Sequence, residues 1–148
     1  MVLPFIIIGF VGFELFGWIF HKYVMHGVLW SIHKTHHHKN ETFLELNDCF
    51  SVIFGSIAMV LIDTYIDNFQ PGFWIGVGIA LYGFVFFILH DVLIHRRIRH
   101  KYKLKKKLFV ALREAHQAHH KHNQKEDAVS FGLLLIHPKY FKDKSERD

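Results

Sequence analysis

Histidines carry the chemistry that this sequence could do. Of the 14 histidines, ten fall into a two-part pattern that occurs twice. His21 and His26 stand five residues apart, and His33, His36 and His37 follow as a triplet spaced three and one. His90 and His95 repeat the five-residue step, and His116, His119 and His120 repeat the triplet. Histidine is the commonest side-chain metal ligand. Residues at i, i+3 and i+4 of a helix share a face, so each triplet is expected to aim its three imidazoles at one point. The five-residue step turns about 140° on an ideal helix. Each pair must therefore flank a site, reach two different metals, or sit where the helix distorts. A lone histidine is ordinarily a surface group or a hydrogen-bonded core group, and His38, His100, His122 and His137 are read that way.

Ten imidazoles exceed what one metal can use. Two six-coordinate metals offer about twelve positions, which leaves roughly two for water, hydroxide or O₂. A closed structural zinc site takes four ligands and does not fit this number. Nitrogen ligands suit iron, copper, nickel and zinc alike, so spacing alone leaves the metal open. A centre beside lipid points to oxidation of an apolar substrate, and such a C–H bond needs an oxidant of the strength that iron and O₂ supply.

The elements that must position these histidines are apolar blocks. The chain has 148 residues, 51% hydrophobic and 21% charged, and is read as a single domain over residues 1–148. Spanning helices are expected at about 3–20, 50–66 and 73–89. Gly9, Gly12 and Gly17 would permit close packing in the first span, and Gly72 and Gly76 form a GxxxG. Residues 67–72 read as a turn. Residues 104–123 read as an amphipathic helix carrying the second triplet. Residues 128–136 are apolar but too short to span, and so are interfacial, re-entrant or packed on the bundle. The fold class is thus an all-α integral membrane protein with three spanning helices and a histidine-rich helical cap. A single cysteine, Cys49, excludes an internal disulfide.

Charge sets the topology. Every one of the 18 Lys and Arg lies in 21–49 or 90–148, and none lies in 67–72. The positive-inside rule then puts both histidine regions and the C-terminus in the cytoplasm and the N-terminus outside. No basic stretch precedes the first span, which reads as a retained anchor and not a signal peptide. Residues 96–107 hold eight cations and no acid. The sequence pI of 9.4 does not point to nucleic acid, because this block is juxtamembrane. Anionic lipid or an acidic electron donor suits it better.

Carboxylates supply the remaining candidates. Glu14 lies two helical turns before His21, on the same face, where an ionisable group is either functional or paired for structure. Asp63, near the end of its span, reads as structural. Metal-bound histidines usually donate their second nitrogen to a carboxylate, carbonyl or water. Glu14, Glu45, Asp48, Asp91 and Asn123 are the candidates for such support, with Glu114 read as a solvated face. Asn47 and Asp48 would also serve as the N-cap of the second span. No catalytic residue is singled out beyond the ten metal ligands.

The series HX4H, HXXHH, HX4H, HXXHH resembles the membrane di-iron fatty acid hydroxylase and sterol desaturase superfamily. HKYVMHG at 21–27, LELND at 44–48, HDVLIHRR at 90–97, HQAHH at 116–120 and VSFG at 129–132 narrow the resemblance to its bacterial β-carotene 3-hydroxylase branch. The likeness covers about residues 5–135. It implies two Fe ions held by His21, His26, His33, His36, His37, His90, His95, His116, His119 and His120. It implies O₂ as co-substrate and a carotenoid substrate hydroxylated at C3 of the β-ionone ring, from β-carotene through β-cryptoxanthin to zeaxanthin. The setting implied is a bacterial cytoplasmic membrane. The sequence shows no flavin, nicotinamide or iron–sulfur fingerprint, so an external electron donor of ferredoxin type is expected. Two rivals stand beside this reading. One is a hydroxylase or desaturase of fatty acyl or sterol lipids. The other is a membrane metal carrier or sensor, against which the placement of all ten histidines outside the expected spans counts, since transporters bind near mid-membrane.

Overall fold

In the computed structural model, residues 1–38, 44–102, 105–121 and 128–142 are described, and all regular structure among them is helical. Asn123 and His122 lie outside these residues, as do Lys103 and Leu104 of the basic stretch. Helix α1 runs Leu3–Phe20, with a proline in its first turn. Helix α2 is Trp30–His37, α3 is Asp48–Tyr65, α4 is Pro71–Phe86 and α5 is Lys107–Lys121.

Helix α1 runs without interruption into a π-helical segment, His21–Val28, and α4 into a second one, Phe87–Ile94. The stretches long and apolar enough to cross a membrane are therefore Leu3–Val28, Asp48–Tyr65 and Pro71–Ile94. Three spans were expected and three are found among the described residues. The first is longer than hydropathy suggested, because it carries His21 and His26 as a helical extension. The third runs on to Ile94, as expected of so short an apolar block, and places His90 within the extension and His95 at its cap. Gly27, with φ −96° and ψ −112°, breaks the first extension and lets α2 turn away.

Helix α4 packs on α1 and also on α3. The α1–α4 crossing depends on Gly9 and Gly78. A Cβ on Gly9 would collide with the carbonyl of Ile75, and one on Gly78 with the carbonyl of Ile6. Gly12, expected to join this contact, faces open space. Gly72 and Gly76 meet α3 instead, against Tyr65 and Ala58. Rings close the gap between α1 and α3, where Phe13, Phe16 and Phe20 each meet Phe54 edge-to-face at 5.3–5.7 Å. Large apolar side chains such as Ile7, Val11, Ile19, Val52 and Met59 remain exposed on the outer faces, where lipid takes the place of a protein core.

Residues 128–136 form no helix. This segment returns along α1, and the chain then ends its described part in a 3₁₀ turn, Pro138–Phe141. Tyr140 of that turn packs on Ala111 and Ala115 of α5.

Candidate metal centre

The ten histidines converge into two clusters. His21, His26, His33, His37 and His119 offer ring nitrogens within 4.8 Å of one another, and so do His36, His95, His116 and His120. His90 completes the second set. Its ring centroid lies 4.8 Å from that of His36, 4.6 Å from His95 and 4.6 Å from His116. The clusters abut where the rings of His37 and His120 stack at 4.5 Å.

Two expectations from spacing meet the geometry differently. The five-residue pairs sit where the helix distorts. A π-helix bonds i to i+5, as in Leu29 N–H to Val24 O at 2.9 Å and His95 N–H to His90 O at 2.8 Å. The wider turn brings both members of a pair to the same side, and His21 and His26 share one cluster. The triplets do not aim at one point, which corrects the reading from helical periodicity. His33 and His37, four apart, join the first cluster while His36 joins the second; His116 and His120 join the second while His119 crosses to the first. The i, i+4 pair shares a stripe, and the odd member lies about 100° around the helix from its neighbour. Each cluster is thus one π-helical pair, one i, i+4 pair, and one histidine lent by the other triplet.

Second nitrogens are held by neighbours. His21 Nδ1 donates to Phe131 O at 2.8 Å, His119 Nδ1 to Val129 O at 2.9 Å, and His33 Nδ1 to Asn47 Oδ1 at 2.8 Å. In the second cluster His36 Nδ1 donates to Glu45 Oε2 at 3.0 Å and His90 Nδ1 to Asp91 Oδ1 at 3.0 Å. Arg97 gathers the carboxylates: Nη2 is 3.0 Å from Glu45, Nη1 2.8 Å from Asp48 and Nε 3.6 Å from Asp91. Glu45 and Asp91 therefore touch histidines as anticipated. Among the described residues Asp48 reaches them through Arg97 and through the Glu45 backbone N–H, which donates to it at 2.9 Å. Among the described residues Glu14 touches no histidine. It accepts from Tyr82 Oη at 2.6 Å and from the backbone N–H groups of Leu134 and Leu135 at 2.8 Å each.

Three contributors escaped the sequence reading. Asn47 sits at the N-cap position of α3 but makes no side-chain cap bond; its side chain serves His33. Arg97 lies within the juxtamembrane run of cations, yet its side chain is only 16% exposed. The backbone carbonyls of residues 129 and 131 carry no side-chain signature at all. Of the lone histidines, His100 donates to Val92 O at 2.9 Å and His137 accepts from Lys139 N–H at 3.2 Å, both local structural roles.

The donor set fits bound metal. His21 and His33 each spend the Nδ1 proton on an oxygen acceptor, which leaves a lone pair on each Nε2, and these two atoms lie 2.9 Å apart. The same holds for His36 and His90, whose Nε2 atoms are 3.1 Å apart. Lone pairs facing lone pairs repel unless a cation lies among them. Burial keeps the imidazoles from supplying that cation by protonation. It lowers His33 to about 4, His95 to about 3 and His119 to about 3. It also holds His36 and His116 well below the ordinary histidine range, with neighbouring imidazoles adding to the effect. His120 Nε2 is buried with no hydrogen-bond partner among the described residues. Neutral, converging nitrogens of this kind suit a transition metal.

A model of the fatty acid hydroxylase family matches residues 6–140. The chain belongs to this family. Among characterised relatives it is similar to the β-carotene hydroxylase of Pantoea ananas, with 37% identity over 86% of this chain and 73% of the relative. The β-carotene hydroxylase of Pseudescherichia vulneris is 34% identical over 87% of this chain and 73% of its own length. A chloroplastic β-carotene 3-hydroxylase of Arabidopsis thaliana is 32% identical over 84% of this chain but only 41% of the relative. No solved structure matches. Membership in the fatty acid hydroxylase family makes the chain a membrane oxidoreductase that hydroxylates. The family match spans both histidine clusters and both π-helical segments.

Proposed function

We propose that this protein hydroxylates carotenoid β-ionone rings at C3, taking β-carotene through β-cryptoxanthin to zeaxanthin. The observation that carries the reading is similarity at 34–37% identity to bacterial β-carotene hydroxylases over more than four fifths of the chain. Its two histidine clusters, five imidazoles each, agree with that chemistry.

One iron would be held by His21, His26, His33, His37 and His119, the other by His36, His90, His95, His116 and His120. Iron in that setting supplies oxidation of an unactivated C–H bond, with O₂ and two outside electrons giving alcohol and water. The protein's own residues fix the ligands. Phe131 O, Val129 O, Asn47, Glu45 and Asp91 hold five Nδ1–H groups, so that five Nε2 lone pairs point inward. Aromatic rings exclude water around them: Phe131 lies 5.2 Å from His26 and Phe86 stacks on His90 at 4.4 Å. An apolar ring would approach from the lipid-exposed side of α1, α3 and α4.

The histidine face is cytoplasmic in this reading, because every Lys and Arg lies on that side of the spans. A ferredoxin-type protein delivers the electrons there, steered by Lys101 and Lys105–Lys107, all exposed. Residues 1–148 act as one hydroxylase domain. Expression in bacteria that accumulate β-carotene, followed by pigment analysis, tests the substrate. Zeaxanthin and β-cryptoxanthin are the expected products. Unchanged β-carotene in cells with the protein inserted and iron-loaded, together with hydroxylated acyl chains, would move the assignment to acyl lipids.

A further inference from the structure

Glu14 is buried, with 4% of its surface exposed, inside the first span. It lies seven residues before His21, about 10 Å deeper along the helix. Its three hydrogen-bond partners among the described residues are all donors: Tyr82 Oη from α4, and the N–H groups of Leu134 and Leu135. Non-helical backbone beside a membrane helix needs protein partners for its polar groups. Glu14 is that partner, and Gly132 fits directly beneath it, since a Cβ there would lie 2.9 Å from Glu14 Oε1.

The same segment meets the first histidine cluster a few residues earlier. Val129 O receives the His119 proton and Phe131 O receives the His21 proton. Between them Ser130 has φ +61°, a left-handed conformation that a non-glycine residue rarely adopts. Such a conformation persists where the surroundings fix it. Here it aims the carbonyls on either side of it at two histidines from different elements. The Phe131 ring also meets His21, His26 and His119 at 5.2–5.5 Å.

We infer that residues 129–135 are a clip for the first histidine cluster, and that Glu14, backed by Tyr82, is the positioning residue that fastens it. Glu14 touches no ligand; it acts through the clip's backbone. The second cluster is supported instead by Glu45, Asp91 and Arg97, not by the clip. The inference rests on the reading of the first cluster as a metal site only for its metal readout.

The test uses the full-length protein in lipid nanodiscs. In Glu14→Leu, amide hydrogen exchange at Leu134 and Leu135 should accelerate at least about tenfold, whether or not metal is bound. In the cobalt-loaded protein, metal release to a chelator should accelerate about 10- to 100-fold for one of the two equivalents only. Glu14→Gln should restore both readouts to near the parent values, because its amide oxygen still accepts from two N–H groups and its NH₂ can donate to the tyrosine oxygen. Tyr82→Phe should shift both in the same direction by less, and it decides the matter if Glu14→Leu does not accumulate. Unchanged exchange at Leu134 and Leu135 would overturn the tether. Equal acceleration of both metal equivalents would make Glu14 a general packing residue. Unchanged exchange refutes the clip even if no metal binds, so its failure is separate from failure of the di-iron reading.

Discussion

In the first cluster the imidazoles donate to two backbone carbonyls and the Asn47 amide, all neutral. In the second they donate to the carboxylates of Glu45 and Asp91, with Arg97 bridging both and Asp48. The ligand plan is the same in both clusters, a π-helical pair, an i, i+4 pair and one borrowed histidine. The support differs in kind. A carboxylate on Nδ1–H raises the basicity of the imidazole more than a carbonyl does, so the second cluster is the stronger donor set. The first is neutral and depends on a segment reaching it from more than a hundred residues away, as the His21–Phe131 bond shows. Two metals in these sites should differ in affinity.

The largest effects should come from the borrowed histidines, which are what make the clusters interlock. His119→Ala should lower metal content at the first site and His36→Ala at the second, and either should cut activity by ~100-fold or more. Metal analysis of both variants alongside turnover checks this. If His119→Ala lost its metal from the site shared by His116 and His120, the crossed assignment would be wrong.

Next comes Arg97. Arg97→Gln leaves three clustered carboxylates without their cation, which should cost about 3 kcal/mol of stability and weaken the second site while sparing the first. Arg97→Lys should not restore it, since one ammonium cannot replace a planar fork shared among Glu45, Asp48 and Asp91. Arg96→Gln, on an exposed neighbour, is the control. Denaturation midpoints and metal release rates read both. A smaller loss, about tenfold in metal affinity, is expected for Asn47→Ala at the first site. Asn47→Asp would give that site a carboxylate partner and should move its release rate toward that of the second.

Acid should act on both clusters. Burial lowers His33 to about 4 and His95 to about 3, below the unfolded value near 6.5. Between those values the unfolded chain binds more protons than the folded one, so stability rises with pH across the window. The metal-stripped protein should therefore be at full stability above about pH 6.5 and lose it progressively as pH falls toward 4 and below. A thermal midpoint flat from pH 7 to 4 would show that these imidazoles are not buried as neutral groups. The smallest effect belongs to His100→Ala, within about 0.5 kcal/mol, since among the described residues His100 hydrogen-bonds the local Val92 carbonyl and no other group.

What the sequence made legible was what local pattern carries. Hydropathy found three spans, and the repeat of pairs and triplets found all ten converging histidines, because both signals are short-range. Helical periodicity also gave a reason to expect each triplet at one point, and there it misled. It counts faces on one helix and is blind to a second histidine cluster on the neighbouring face. The π-helical extensions were left open by the five-residue step and settled only by the backbone. Asn47 carried a cap signal that outweighed its real use. Arg97 was hidden inside a run of cations, where composition suggests solvent. The clip was visible only as the resemblance of VSFG at 129–132, since a carbonyl leaves no mark in a sequence.

The crossed, two-site arrangement is tested most directly by locating metal in the iron-loaded protein, by anomalous diffraction at the iron edge. The account predicts two peaks. One lies among His21, His26, His33, His37 and His119, and the other among His36, His90, His95, His116 and His120. A single peak, or a peak bound by all three of His33, His36 and His37, would contradict it.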